Sequence, residues 1–293
     1  MSNPILDIRG LHVEFAQHGR VTPILRGVDL SIEAGRICGL VGESGGGKTM
    51  VSKAVTGILP DDARVSAGEI LFNGKNLVSQ SPKERRKQLG RSIAMILQQP
   101  TTALNPVLRI ETQIMEMLQR QMGMNSRAAG ARAMELLHMV KIRAPERVMR
   151  QYPHELSGGM CQRVVIAIAF ACQPALIIAD EPTTALDVTV QYEILKLIKA
   201  LQRDLGTAVL FITHDLGVVA NICDTVSVIF GGRILERGTT AEVFAAPRHP
   251  YTSALMAASP RHDQPEKGLH PVPAEIVDQL WRDVAEYDRA RSA

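Results

Sequence analysis

An α/β fold is predicted, with a mixed sheet at its core, an N-terminal antiparallel β-subdomain and an inserted helical subdomain. Three observations predict it. Continuous apolar runs at Ile37–Val41, residues 176–179 and residues 208–212 suit strands buried on both faces. The last two runs flank the helix-like Val188–Leu205, which is the rhythm of a parallel sheet with a crossover helix. Alternation before residue 35 and helical periodicity between residues 105 and 156 supply the other two parts.

Taken in order, Leu11-His12-Val13-Glu14-Phe15 alternates apolar and polar residues, a polar loop spans residues 17–20, and Val28-Asp29-Leu30-Ser31-Ile32 alternates again before Gly35. These are half-exposed antiparallel strands. The buried run Ile37–Val41 leads into the glycine-rich segment 42–47, and a helix from Lys48 is expected to end near Pro60. In the insert, Ile110, Ile114, Met117 and Leu118 share one helical face, and Met134, Leu137 and Val140 another. Residues 226–230 and 233–235 join through Gly231-Gly232 as a hairpin. Beyond it the chain is punctuated by Pro247, Pro250, Pro260, Pro265, Pro271 and Pro273, followed by Ile276, Leu280, Val284 and Tyr287 at helical spacing with Trp281 beside them. That stripe is expected to pack against its own domain.

The chain of 293 residues is long enough to bury a core without metal or disulfide staples. Hydrophobic residues at 45% and charged residues at 22% exclude a disordered or collagenous chain, and a net charge of +3 demands no nucleic-acid partner. Cys38, Cys161, Cys172 and Cys223 are widely spaced without a CxxC pair, so neither zinc nor a disulfide framework is expected and the compartment is read as reducing. Residues 1–7 lack the basic start and apolar core of a secretory signal, so the chain is expected to stay in the cytosol. The apolar run 164–172 is about half of the roughly 18 residues that a membrane-spanning helix needs.

Gly42-Glu43-Ser44-Gly45-Gly46-Gly47-Lys48-Thr49 fits G-x-x-x-x-G-K-[ST] and sits after a buried strand and before a helix, the context its chemistry requires. Glycines turn successive backbone N–H groups inward around phosphate oxygens, the helix N-terminus adds partial positive charge, Lys48 adds a full one, and the Thr49 hydroxyl suits Mg²⁺. Alone, this leaves kinases, GTPases, helicases and transport ATPases open. A second anion site is read at Leu156-Ser157-Gly158-Gly159-Met160-Cys161-Gln162-Arg163, where Ser157 caps an apolar helix expected to reach Cys172 and two glycines permit close backbone approach.

With these two motifs in this order, the sequence resembles the nucleotide-binding subunit of ATP-binding-cassette (ABC) transporters over roughly residues 5–260. The resemblance implies a P-loop NTPase of ABC type. Residues 1–260 then form the ATPase domain, with a helical subdomain at about 105–165, and residues 261–293 form a C-terminal extension. It extends to residues 175–181 as a Walker B strand with its adjoining Glu181, Ala185-Leu186-Asp187 as a D-loop, Thr213-His214-Asp215 as a switch segment and Gln98 as the Q-loop glutamine. Phe15, 27 residues before Gly42, resembles the aromatic that stacks on adenine. By the same resemblance Glu181, His214 and Gln98 are catalytic. Gly42, Glu43, Ser44, Gly45, Gly46, Gly47, Lys48, Thr49, Ser157, Gly158, Gly159 and Asp187 contact nucleotide with Phe15, and Thr49, Gln98 and Asp180 serve Mg²⁺. Asp180 at a strand end suits orienting the ion through its waters, and Glu181 suits polarising the attacking water. The family arrangement sandwiches two ATP molecules head to tail, Ser157 and Gly159 reaching the γ-phosphate held by a partner subunit.

Gln98-Gln99-Pro100, Leu104-Asn105-Pro106, Tyr152-Pro153-His154-Glu155, the run from Ala179 to Gln191 and His249-Pro250-Tyr251-Thr252 resemble the ATPases of bacterial dipeptide, oligopeptide and nickel importers. That implies a second ATPase subunit, self or paralogue, two multi-span permeases touching residues around 98–114, an indirect solute-binding protein, and a peripheral location on the cytoplasmic face of the inner membrane. Cys161 replaces the usual arginine and Gln99 the usual aspartate, both beside the phosphate contacts, so activity is expected to survive. Many relatives carry a cysteine cluster for an iron–sulfur centre after a proline-rich segment. Here the last cysteine is Cys223, so no such centre is expected, and the shortened tail makes nickel, a metallophore or another small solute more plausible than in the fullest peptide-importer relatives. The competing reading is a soluble ABC ATPase driving a cytosolic enzyme complex.

Overall fold

The computed structural model describes residues 3–17, 19–184, 186–258 and 271–292. They fall into two compact units, one built from residues up to 82 together with those from 210 onward, the other from residues 83–209.

The first unit begins with β1 (Leu6–Gln17) and β2 (Arg20–Ile32), antiparallel as the alternation predicts. Leu6, Ile8, Leu11, Val13, Leu25, Val28, Leu30 and Ile32 are buried along them. β3 (Ile37–Val41) is buried at every residue, which explains its unbroken apolar sequence. α1 (Lys48–Thr56) follows, ending earlier than the expected Pro60 because Gly57 takes φ 72° and receives the chain as a left-handed cap. β4 (Ala63–Phe72) and β5 (Lys75–Asn76) complete an antiparallel sheet in the order β2-β1-β4-β5.

In the second unit, α2 (Pro82–Gln88), starting at its border, leads to β6 (Ile93–Ile96) and the single turn α3 (Pro100–Ala103). The helical insert comprises α4 (Ile110–Met122), α5 (Ser126–Met139) and α6 (Pro145–Arg150), then α7 (Gly158–Phe170). Ile110, Ile114 and Leu118 are buried on α4, and Ala133, Leu136 and Leu137 on α5, the spacing of facing helical stripes. α7 stops two residues short of the expected Cys172, and Gln173 turns at φ 48°. β7 (Leu176–Asp180) pairs parallel with β6. α8 (Val188–Leu205) has the predicted bounds, capped by Asp187 at one end and by left-handed Gly206 at the other. β8 (Ala208–Thr213) is buried throughout and leads back to the first unit.

There α9 (Leu216–Ile222) precedes β9 (Thr225–Phe230), which runs parallel to β3 and antiparallel to β10 (Arg233–Thr239). The hairpin is longer than expected, since β10 continues four residues beyond Leu235. α10 (Thr240–Ala245) and α11 (Pro250–Ala258) follow. The expected domain border at residues 260 and 261 lies outside the described residues, as do Pro260 and Pro265. α12 (Ala274–Ser292) buries Leu280 and Val284 against its own unit and stacks Tyr287 on His12, with ring centroids 6.3 Å apart. Among the described residues no helix is long and apolar enough to cross a membrane. The four cysteines are free, and burial pushes the thiol pKa values of Cys38, Cys161 and Cys172 up.

Candidate nucleotide-binding site

In the first unit, Gly42 leaves β3 so tightly against β9 that a Cβ there would lie 2.1 Å from the Ile229 carbonyl oxygen. Only glycine fits this close approach. Gly45 at φ 82° and Gly47 at φ 104° themselves take left-handed backbone, and Gly47 caps α1. Gly46 N–H donates to the Glu43 carbonyl at 3.1 Å, closing the loop, while the N–H groups opening α1 precede any intrahelical acceptor. Lys48, 5% exposed, reaches back to donate through Nζ to the carbonyls of Gly42 (2.8 Å) and Glu43 (2.9 Å). The backbone dipoles thus hold a full positive charge inside the loop. Glu43 N–H donates to the Tyr251 hydroxyl at 3.3 Å, and burial pushes the Tyr251 pKa to about 12, so this acceptor stays protonated at neutral pH. The loop thus brings together a helix N-terminus, backbone N–H groups and an ammonium, the chemistry that suits a polyphosphate.

The other expected residues of this unit sit apart in sequence. Phe15, half-buried near the end of β1, lies opposite Thr22 of β2 and Ala63 of β4. His214 is exposed immediately after β8. Its backbone is pinned from both sides, because Asp215 N–H donates to the Thr213 hydroxyl at 3.0 Å and the Asp215 carboxylate caps α9 from Gly217 (2.8 Å) and Val218 (3.2 Å).

In the second unit, the β6–β7 register sets Ile96 opposite Ala179, so Gln98 and Glu181 each lie two residues beyond the last pair. They meet: Gln98 Nε2 donates to Glu181 Oε2 at 3.0 Å, and the Thr184 hydroxyl donates to the same oxygen at 3.1 Å. Asp180 ends β7 and is 7% exposed, whereas Glu181 swings out of the strand direction with φ 48°. A non-glycine residue held there is strained, and such strain collects at functional sites. The left-handed turn at Glu181 thus separates the two adjacent carboxylates.

Ser157 caps α7, accepting from Met160 N–H at 3.3 Å, and Asp187 caps α8, accepting from Val190 N–H at 3.0 Å. The two helix starts abut. A Cβ on Gly159 would lie 2.8 Å from Val190 Cγ1, and one on Gly158 would lie 3.9 Å from Leu186 Cδ2. Gln162 Nε2 donates to the Pro182 carbonyl at 2.7 Å, tying α7 to the turn after Glu181. Sequence reasoning assigned no part to Gln162, Thr184 or Tyr251, whose bonds span 20, 3 and 208 residues. Of the expected D-loop residues, Ala185 lies outside the described residues. Cys161 is buried, its Sγ 3.4 Å from the Pro153 carbonyl, which accepts. Gln99 caps α3 through its carbonyl, which accepts from Thr102 N–H at 3.2 Å.

Among the described residues no group of three or more His, Cys, Asp and Glu side chains is arranged to hold a metal. The residues expected to serve Mg²⁺ offer a hydroxyl at Thr49 in the first unit and, in the second, an amide oxygen at Gln98 and a carboxylate at Asp180. Such hard oxygen ligands suit Mg²⁺, which keeps waters and takes phosphate oxygens in preference to an all-protein cage.

Residues 25–184 match the ABC transporter family model, and residues 235–280 match the oligopeptide/dipeptide transporter C-terminal region. The chain belongs to the ABC transporter family. It is an ABC-type ATPase, and its mixed and antiparallel sheets are those of the ABC cassette. It is 48% identical to the oligopeptide transport ATP-binding protein OppD of Bacillus subtilis, covering 87% of this chain and 72% of that protein. It is 45% identical to the probable D,D-dipeptide transport ATP-binding protein DdpD of Escherichia coli, covering 94% and 84%. Among solved structures, the ATP-binding cassette MJ0796 in a dimeric post-hydrolysis state with ADP and Pi superposes with a TM-score of 0.71 at 26% identity, covering 80% of this chain and 98% of that one. The ABC transporter component cbiO1 of Clostridium perfringens gives 0.70 at 29% identity, covering 83% and 92%.

Proposed function

We propose that this ABC ATPase is the energy-coupling subunit of a bacterial importer for peptides or a closely related small solute. It works as a head-to-tail pair, with itself or a paralogue, beneath two multi-span permeases on the cytoplasmic face of the membrane. The relatives named for oligopeptide and dipeptide transport support the solute class, and the matched C-terminal region agrees with them. Those names favour peptide over nickel as the cargo.

The observation that carries the catalytic reading is the Gln98–Glu181–Thr184 hydrogen-bonded set at the end of the β6–β7 pair. Residues 42–49 hold the triphosphate through backbone N–H groups and Lys48, and Phe15 stacks on the adenine. Glu181, held at one carboxylate oxygen by Gln98 and Thr184, polarises the attacking water. His214 hydrogen-bonds the γ-phosphate. Thr49 of the first unit and Gln98 and Asp180 of the second would supply the oxygen ligands for Mg²⁺, which would neutralise charge on the phosphate oxygens. Ser157, Gly158 and Gly159 at the start of α7, with Asp187 beside them, receive the partner's γ-phosphate, so ATP favours the closed pair and hydrolysis releases it.

Glu181→Gln is the test. Phosphate release is expected to fall at least about 100-fold, as for loss of a positioned general base, while ATP binding persists and the protein sediments as an ATP-dependent dimer. Unchanged turnover overturns the assignment. A deletion strain that still imports di- and oligopeptides at the parental rate overturns the solute class.

A further inference from the structure

The glycine pair that joins β9 to β10 lies between the phosphate loop and the C-terminal helix. Gly231 and Gly232 have φ 52° and 76°. Gly232 N–H donates to the Gly46 carbonyl at 3.0 Å, and the Gly232 carbonyl accepts from Arg26 N–H at 2.8 Å. A Cβ on Gly232 would lie 1.9 Å from the Ile24 carbonyl oxygen, so the turn sits against β2 with no room for a side chain. On its other side is α12. A Cβ on Gly231 would lie 2.8 Å from Val284 Cγ2. The Arg26 guanidinium donates to the Gly231 carbonyl at 2.7 Å and makes a two-pronged pair with Asp288 at 2.7 and 2.8 Å. Arg26 is only 9% exposed, so its charge depends on those acceptors.

A second line runs through aromatic rings. Trp281 of α12 packs on Phe230 with centroids 5.1 Å apart, Phe230 meets Tyr251 edge-on at 5.1 Å, and the Tyr251 hydroxyl accepts from Glu43 N–H within the phosphate loop. Both lines start on α12 and end on backbone atoms of residues 42–49, one on a carbonyl and one on an N–H.

We infer that α12 is a strut for the phosphate loop, in which Asp288, Arg26 and Tyr251 are positioning residues that hold the loop in its anion-receiving shape. The C-terminal extension thereby sets the affinity for nucleoside triphosphate. A helix that merely covered the core would contribute stability through Leu280 and Val284 and leave affinity untouched. The inference rests on residues 42–49 being the triphosphate site.

Full-length protein, Tyr251→Phe, Asp288→Asn, Asp288→Glu and Lys48→Ala are compared by calorimetric titration with Mg²⁺–ATP, steady-state hydrolysis and melting without nucleotide. Tyr251→Phe and Asp288→Asn are expected to raise the ATP Kd and KM about 3- to 10-fold, the worth of one net hydrogen bond, with the loss in KM and not in kcat. Asp288→Glu restores most of the affinity. Variants that melt earlier yet keep the parental Kd overturn the strut. Should Asp288→Asn fail to fold, Tyr251→Phe decides alone, because it keeps the ring and removes only the acceptor of Glu43 N–H. Failure of the parent to bind ATP, or parental affinity in Lys48→Ala, instead overturns the reading of the loop itself.

Discussion

Ser157→Asp separates the two tasks that fall on one side chain. As the cap of α7, Ser157 accepts from Met160 N–H at 3.3 Å, and aspartate is as good a cap as serine. Stability is therefore expected to stay within about 0.5 kcal/mol of the parent, whereas Ser157→Ala, which removes the acceptor, loses about 1 kcal/mol. As the receiver of a partner's γ-phosphate, the aspartate brings a negative charge to about 4 Å from another. At an effective dielectric constant near 20 that repulsion is about 4 kcal/mol per site, a factor of about a thousand in association. Urea unfolding measures the first effect. The second is read by sedimentation velocity with ATP in a Glu181→Gln background and by phosphate release with Glu181 intact. The expected pattern is unchanged unfolding with dimer and turnover lost. Parental dimerisation and turnover in Ser157→Asp would refute the shared grip on ATP, and a stability loss larger than that of Ser157→Ala would refute the cap.

Two further outcomes follow from the geometry. At Glu181, φ 48° reverses the usual ranking of small residues, so Glu181→Gly is expected to be more stable than Glu181→Ala by about 1 kcal/mol in urea; a more stable alanine variant would remove the strain. Burial lowers the pKa values of His12 and His249 from the ordinary 6.5, the neutral His12 ring accepting at Nε2 from the Tyr287 hydroxyl and His249 Nδ1 accepting from Tyr251 N–H. Below 6.5 the unfolded chain binds more protons than the folded one, so stability is full above that pH and falls as pH drops through the lowered folded values; His12→Gln and His249→Asn should each flatten the decline measured by urea midpoints.

Much of this was legible because local signals and burial agree. β3 is a continuous apolar run that ends at a glycine, and α8 carries an aspartate cap before it and a glycine after it, so both ends were readable. α1 was misjudged because Pro60 was taken as the stop, while Gly57, three residues earlier, already offered the left-handed conformation that ends a helix. Gln98 and Glu181 were each assigned, but their hydrogen bond spans 83 residues and depends on the β6–β7 register, which no local pattern states. The positive φ of Glu181 was hidden for a different reason. Nothing in a glutamate between aspartate and proline announces it.

The C-terminal helix shows where periodicity stops informing. Leu280, Val284 and Tyr287 were expected on the packed face from their spacing, and the structure puts Leu280 and Val284 in the core and Tyr287 on His12. Asp288 reads as one more solvated charge on a helix already rich in them. It is selected instead by Arg26, which lies 262 residues away on β2 and is buried by the glycine turn. A guanidinium so placed, stripped of its carboxylate, costs about 3–5 kcal/mol, which is much of a typical domain's net stability. The pair is therefore required wherever Arg26 is buried, and Arg26 is buried because the turn that braces Gly46 must be held from behind. Long-range necessity of this kind follows from the phosphate loop outward, and it becomes visible only once the loop, the turn and the helix are seen in contact.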